Sequence, residues 1–165
     1  MKNVILLQFA ILFLIGVNSA GCQHKLRTKT MNTLIPILLS CTVTQSNELM
    51  GEISIHNTFK KPLIVEKLKI CYGGALILNL FKITLENSEV KFNGRIVRLA
   101  GPQKNDYYKI EPAETFRVSV RIDNKYQFKD GRNTYKIQFI SNTIPEDEDI
   151  IYELKSNTCT ITYAK

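Results

Sequence analysis

Between Leu80 and Ser141 apolar residues recur at every second position, and turn dipeptides cut the runs so formed. Phe81, Ile83 and Leu85 alternate with Lys82 and Thr84. Phe116, Val118 and Val120 alternate with Arg117, Ser119 and Arg121, and Tyr135, Ile137 and Phe139 with Lys136 and Gln138. A period of two sends alternate side chains to opposite sides of an extended chain, so each run is a strand with one dry and one wet face. Asn93-Gly94, Gly101-Pro102 and Asp130-Gly131 are the breaks. Asn-Gly readily takes the two positive φ angles of a two-residue turn, which predicts a hairpin joining Val90–Phe92 to Arg95–Leu99.

The flanking sequence follows the same rule. Leu39, Cys41 and Val43 alternate with Ser40, Thr42 and Thr44 in a first strand within Leu34–Gln45, and Pro36 suits an edge position. A second strand spans Glu52–Asn57, with Ile53 and Ile55 inward and His56 exposed or satisfied at the strand end. Leu63–Cys71 reads as a third strand of mixed phase, covered on both faces or interrupted by a bulge. Leu76–Leu80 is open between strand and helical turn. Tyr107–Ile110 is a short strand, Glu111–Glu114 a turn, and Asn157–Ala164 the closing strand. About eight to ten short strands with no packing-length helix predict an all-β fold, an immunoglobulin-like antiparallel β-sandwich, with a closed barrel as the alternative.

Ahead of the domain, Met1-Lys2-Asn3 is followed by the apolar run Val4–Val17 and the small residues Ser19, Ala20 and Gly21. That is the layout of a signal peptide, and the run is short for a membrane span. Residues 1–21 are expected to be a signal peptide, 22–33 a polar tether and 34–165 the β-sandwich domain. Ala20-Gly21-Cys22 resembles the end of a bacterial lipoprotein box, with Ser19 where that box usually has Leu; Cys22 is then the lipidation site. Cleavage near Ser19 or Ala20 that leaves a soluble secreted protein is the rival, and an uncleaved anchor helix a third reading. The expected location is a bacterial membrane, facing the periplasm or the cell exterior.

In an oxidising compartment Cys41, Cys71 and Cys159 suffice for one disulfide and one spare thiol. Cys41 and Cys159 share faces with apolar neighbours in the first and last strands and would meet if those strands pair. A bond to Cys71, and buried free thiols, stay open. His24 and His56 are far apart and no cysteine pair has zinc-ligand spacing, so no metal or cofactor is expected. The formal charge of +7 is spread over the chain, without the clustering and aromatic interleaving of a nucleic-acid surface. The acidic run Glu146–Asp149 reads as a solvated loop before the last strand.

One resemblance joins these pieces. Asn79-Leu80-Phe81; Val90, Phe92 and Gly94; Arg95 and Arg98; Pro102; Asp106-Tyr107; Glu111-Pro112; Asp123, Tyr126, Phe128, Gly131, Tyr135, Ile137 and Phe139 occur in that order. The pattern resembles the non-catalytic N-terminal domain of deuterolysin-type and peptidyl-lysine zinc metalloendopeptidases, over Cys41 to Tyr163. Ala113 stands where the family turn has Gly, and the interval from Gly131 to Tyr135 is longer than usual. The chain contains no His-Glu-x-x-His, so peptidase chemistry is not implied. The resemblance implies a stand-alone, non-enzymatic binding module held at an envelope: an inhibitor of a peptidase, or an immunity protein for a secreted toxin. The alternative is a structural or accessory lipoprotein subunit of an envelope assembly. The expected partner is a protein, with no nucleic acid and no small-molecule substrate. Lys91, Arg95, Arg98, Tyr107 and Tyr108 are the expected contact residues.

Overall fold

The computed structural model describes residues 35–94, 101–143 and 152–165. Its strands are β1 (Ile37–Val43), β2 (Leu49–His56), β3 (Leu63–Glu66), β4 (Phe81–Leu85), β5 (Ser88–Glu89), β6 (Tyr107–Ile110), β7 (Thr115–Arg121), β8 (Arg132–Thr143) and β9 (Tyr152–Ala164). They form three sheets, ordered β1-β2-β7, β3-β6 and β5-β4-β8-β9. Every ladder is antiparallel, and the chain is all-β.

The period-two runs decide which side of each sheet is dry. Leu39 stands opposite Ile53 and Ile53 opposite Val118, and all three are buried. Ile83 stands opposite Ile137, and both are fully buried with Leu154 of β9. The inner faces of the three- and four-stranded sheets share one core with Leu63, Val65 and Ile110 of the small sheet. Each fully buried Leu, Ile or Phe contributes about 1.5–3 kcal/mol. Gly51 stands inward on β2 opposite Cys41, and a Cβ there would lie 2.8 Å from Ile122 Cδ1. Asn57, also fully buried, joins three turns: its amide donates to the carbonyls of Lys61 (3.0 Å) and Ile110 (2.9 Å), and its Oδ1 accepts the Phe59 N–H (2.9 Å).

Three local expectations need correction. The third strand ends at Glu66; a 3-10 helix over Lys67–Ile70 follows, and Cys71 takes φ 53°. That turn reconciles the mixed phase, because it swings Ile70 and Cys71 into the core after Leu63 and Val65 have pointed there from the strand. Leu76–Leu80 forms neither strand nor helix. Neither Asn93 nor Gly94 takes a positive φ; the two-residue hairpin lies at Glu86 (φ 47°) and Asn87 (φ 69°), between β4 and β5. Tertiary pairing overrides the local turn preference of Asn-Gly. Asn93 donates its N–H to the Lys125 carbonyl (2.7 Å), Gln127 donates to Lys91 (2.9 Å), and Phe92 bridges to Tyr126. The far arm of the expected hairpin, 95–99, and the acidic run 146–149 lie outside the described residues.

The first and last strands meet, but not as ladder neighbours. Cys41 of β1 and Cys159 of β9 form a disulfide with Cα atoms 6.4 Å apart. Two residues earlier on each strand, the Asn157 side chain takes the place of a backbone partner. Its Oδ1 accepts the Leu39 N–H (2.7 Å) and its Nδ2 donates to the Leu39 carbonyl (3.0 Å). The bond therefore staples one sheet to the other.

At the opposite side, the crossover from β3 to β4 lies against the outer edge of β7. A Cβ at Gly74 would lie 3.0 Å from the Ser119 carbonyl oxygen, and Gly74 itself takes φ 77°, where glycine is unstrained. A bare strand edge is a template for pairing with another chain. Here the β1 edge is closed by Asn157 and the disulfide, the β7 edge is overlain by the crossover, and β5 is two residues long.

Candidate protein-recognition face

Of the expected contact residues, Lys91, Tyr107 and Tyr108 are among the described residues. Cys22, Arg95 and Arg98 lie outside the described residues. Lys91 is exposed next to the Phe92–Tyr126 bridge, beside the four-stranded sheet. Tyr107 and Tyr108 belong to strand β6, opposite Glu66 and Val65 of β3, and not to a loop. Both are half-buried, and Tyr108 forms a three-ring cluster with Tyr72 and Phe116, each 5.1 Å from it by ring centroid and 6.2 Å from one another. Lys67 Nζ lies 5.3 Å from the Tyr72 ring centroid while donating to the Asn105 carbonyl (2.8 Å). This aromatic group reaches the surface, where Tyr72 is 43% exposed.

Another set of residues converges on the outer face of β1-β2-β7. The register sets them in rows: Leu38, Ser54 and Arg117; then Ser40, Glu52 and Ser119; then Thr42, Met50 and Arg121. Leu38 is 65% exposed, the most exposed of the large apolar side chains among the described residues. Leu38, Ser40, Glu52, Ser54, Arg117 and Asn157 line a shallow depression around it. An outward polar position occupied by leucine gains nothing from the fold, since its side chain stays in water.

The charges on this face divide into engaged and free. Arg121 is engaged: it bonds Asp123 through Nε (3.1 Å) and Nη2 (2.8 Å) and pairs with Glu48. The hydrogen bond to Asp123 is the main reason its guanidinium pKa lies above the usual value, with the charges of Asp123 and Glu48 adding to it. Asp123 also accepts the Leu49 N–H (3.0 Å), so it fixes the start of β2 as well. Glu52 and Arg117 have no ion pair among the described residues. His56, at the head of the face, shares a hydrogen bond of 2.9 Å between Nδ1 and Thr115 Oγ1, satisfied at its strand end as the sequence suggests.

The remaining reactive groups are inside. Cys71 is a free, fully buried thiol, and burial pushes its pKa up from 9.0 to about 12. The Tyr126 hydroxyl is buried too, and desolvation raises its pKa although hydrogen bonding to Phe81 works the other way. It accepts the Phe81 N–H (3.0 Å) and lies 2.8 Å from Asn79 Oδ1. Among the described residues no three His, Cys, Asp or Glu side chains gather as metal ligands, and no helix is long and apolar enough to cross a membrane. What the outer face offers is an apolar centre with a carboxylate, Glu52, and a guanidinium, Arg117, that have no ion pair among the described residues.

None of the residues of this face, Leu38, Glu52, Arg117 and Asn157 included, is in the sequence-based contact set. One signal was available for Leu38. In Ile35–Leu39 apolar residues occupy both phases of a strand around Pro36, so one phase had to face outward. No such signal marks Asn157, which looks like any polar strand residue.

No protein family matches this chain, and no curated protein does. The likeness to the metalloendopeptidase domain therefore rests on the strand and turn residues quoted for it.

Proposed function

We propose that the chain is an exported, lipid-anchored protein-recognition module of immunoglobulin-like build, without catalytic activity, that engages its partner through the outer face of β1-β2-β7. The strand order supports the immunoglobulin-like reading. β4-β8-β9 corresponds to the C-F-G order of that fold and β1-β2-β7 to A-B-E. Tyr135 supports it as well: near the start of β8 its hydroxyl accepts the Lys129 N–H (3.1 Å), six residues upstream, as in a tyrosine corner. The observation that carries the recognition reading is Leu38, 65% exposed in the row that ends in Arg117, with Glu52 in the row beside it, both charges without an ion pair among the described residues. An apolar anchor with polar groups around it is the usual anatomy of a protein contact. With the β1 and β7 edges of this sheet covered, its outer face is what it offers for binding. The inhibitor or immunity role implied by the family likeness adds no residue to this face.

The test uses the full chain in its own cells. Cys22→Ser should move it from the membrane fraction to the soluble fraction; unchanged fractionation removes the lipid anchor from the proposal. Leu38→Arg should leave folding intact, because the side chain is already in water, and should abolish retention of the bound protein on the affinity-tagged chain. Equal retention by Leu38→Arg and the unaltered chain rejects this face as the recognition surface.

A further inference from the structure

Resting on that reading of the face, we infer that the partner it accepts is a second copy of this chain, packed face to face about a two-fold axis. Three observations lead there. The first is charge. The chain carries +7, yet β1, β2 and β7 contain no lysine, and of their two arginines Arg121 is already neutralised by Glu48 and Asp123. Among the described residues Glu52 and Arg117 have no ion pair and cancel each other, and two carboxylates face the Arg121 guanidinium, so the groups counted here are slightly acidic on a basic protein. Like copies repel one another everywhere else more than here.

The second is the placement of those two charges. Glu52 and Arg117 sit on neighbouring strands, two residues out of register, because Glu52 pairs with Ser119 and Arg117 with Ser54. With strands about 4.8 Å apart and about 6.8 Å per two residues, they stand roughly 8 Å from each other in the sheet plane. A two-fold axis lying along their perpendicular bisector brings each Glu52 over the other copy's Arg117. On the same lattice that bisector passes within about 1.5 Å of both Leu38 and Ser54. One symmetry operation thus makes two opposite-charge pairs and sets the exposed leucine against its own copy. An isologous contact has to be self-complementary in this way.

The third is size. Three strands of seven to eight residues present a patch roughly 15 Å by 25 Å, below the area of a stable complex at about 1,200 Å². The contact is therefore weak in dilute solution and depends on anchoring, which confines the chains to one surface and raises their effective concentration.

The experiment places a photoreactive residue at position 54, close to the axis, in the full-length chain in its own cells. Illumination should give a product of twice the chain's mass. Glu52→Arg and Arg117→Glu should each reduce it about tenfold, since each turns two attractive pairs into like-charge pairs. The double variant Glu52→Arg, Arg117→Glu should restore it, which a folding defect in either single variant would not allow. A doubled product indifferent to both charge reversals overturns the two-fold arrangement. A product with a different protein and none of doubled mass overturns the inference and leaves the face as a recognition surface. No product of either kind overturns both.

Discussion

The two outer faces of the molecule are built on one pattern and carry different chemistry. On the four-stranded sheet the exposed outward residues include Lys82, Lys136 and Lys155 with Thr158, Thr160 and Thr162, beside Glu153, and Thr134 and Thr162 share a hydrogen bond of 3.0 Å across the strands. On the three-stranded sheet the same positions hold Leu38, Ser40, Glu52, Arg117 and Ser119. Lysine and threonine keep a face wet and monomeric: the ammonium is strongly hydrated and the threonine hydroxyl finds neighbours within the sheet. On the three-stranded sheet leucine stands beside a carboxylate and a guanidinium that find no ion pair among the described residues. The alternation that makes a strand fixes which side is wet. It leaves open whether the wet side is a solvent boundary or a contact, and the residues there decide that.

The comparison depends on β1 being held rigidly, and the largest expected effect comes from releasing it. Replacing both Cys41 and Cys159 with Ser removes a crosslink between residues 118 apart, which should cost about 2–5 kcal/mol in denaturant unfolding. Amide exchange should show β1 opening while β8 and β9 keep their ladder; equal loss of protection in both sheets would mean that the staple does not serve the recognition face in particular. Asn157→Ala should act in the same direction and more weakly. It leaves the Leu39 N–H and carbonyl without their partners and should cost about 1–3 kcal/mol with the disulfide intact.

A smaller effect of opposite sign is expected where β7 begins. Ala113 takes φ 63° at the third position of the Glu111–Glu114 turn, whose ends are closed by the Glu114 N–H donating to the Glu111 carbonyl (3.0 Å). That position favours glycine, so Ala113→Gly should raise stability by about 1 kcal/mol and the midpoint of thermal unfolding with it. A fall in the midpoint would show that the alanine methyl is packed to advantage. The smallest effect belongs to the lysine face. Lys136→Thr should change stability by less than about 0.5 kcal/mol and leave crosslinking through position 54 unaltered. A large change in either would erase the distinction between the two faces.

Much of the fold is legible in the residues. The strands around Ile53, Val118, Ile137 and Tyr163 follow directly from period-two alternation, because burial on one side is the force that orders a strand. The Cys41–Cys159 pair was one of several open pairings, and the fold selects it by bringing β1 beside β9. The expectation of a two-residue turn at Asn93-Gly94 weighed that dipeptide locally, whereas neither residue takes a positive φ and the segment pairs with residues 125–127. The aromatic neighbours of Tyr108, Tyr72 and Phe116, come from distant parts of the chain and were not legible in the sequence.

By itself, then, the sequence determined that this chain builds antiparallel strands, which of their residues are dry, and that a turn at Glu111–Glu114 leads into β7. These depend on neighbours a few positions away, and the physics of alternation and turn geometry is local. Only the tertiary structure decided that Asn157 closes the edge of β1, that the crossover overlies β7, and that Leu38, Glu52 and Arg117 share a surface. Those outcomes join residues up to 118 positions apart through side-chain hydrogen bonds and strand register, which no local pattern encodes.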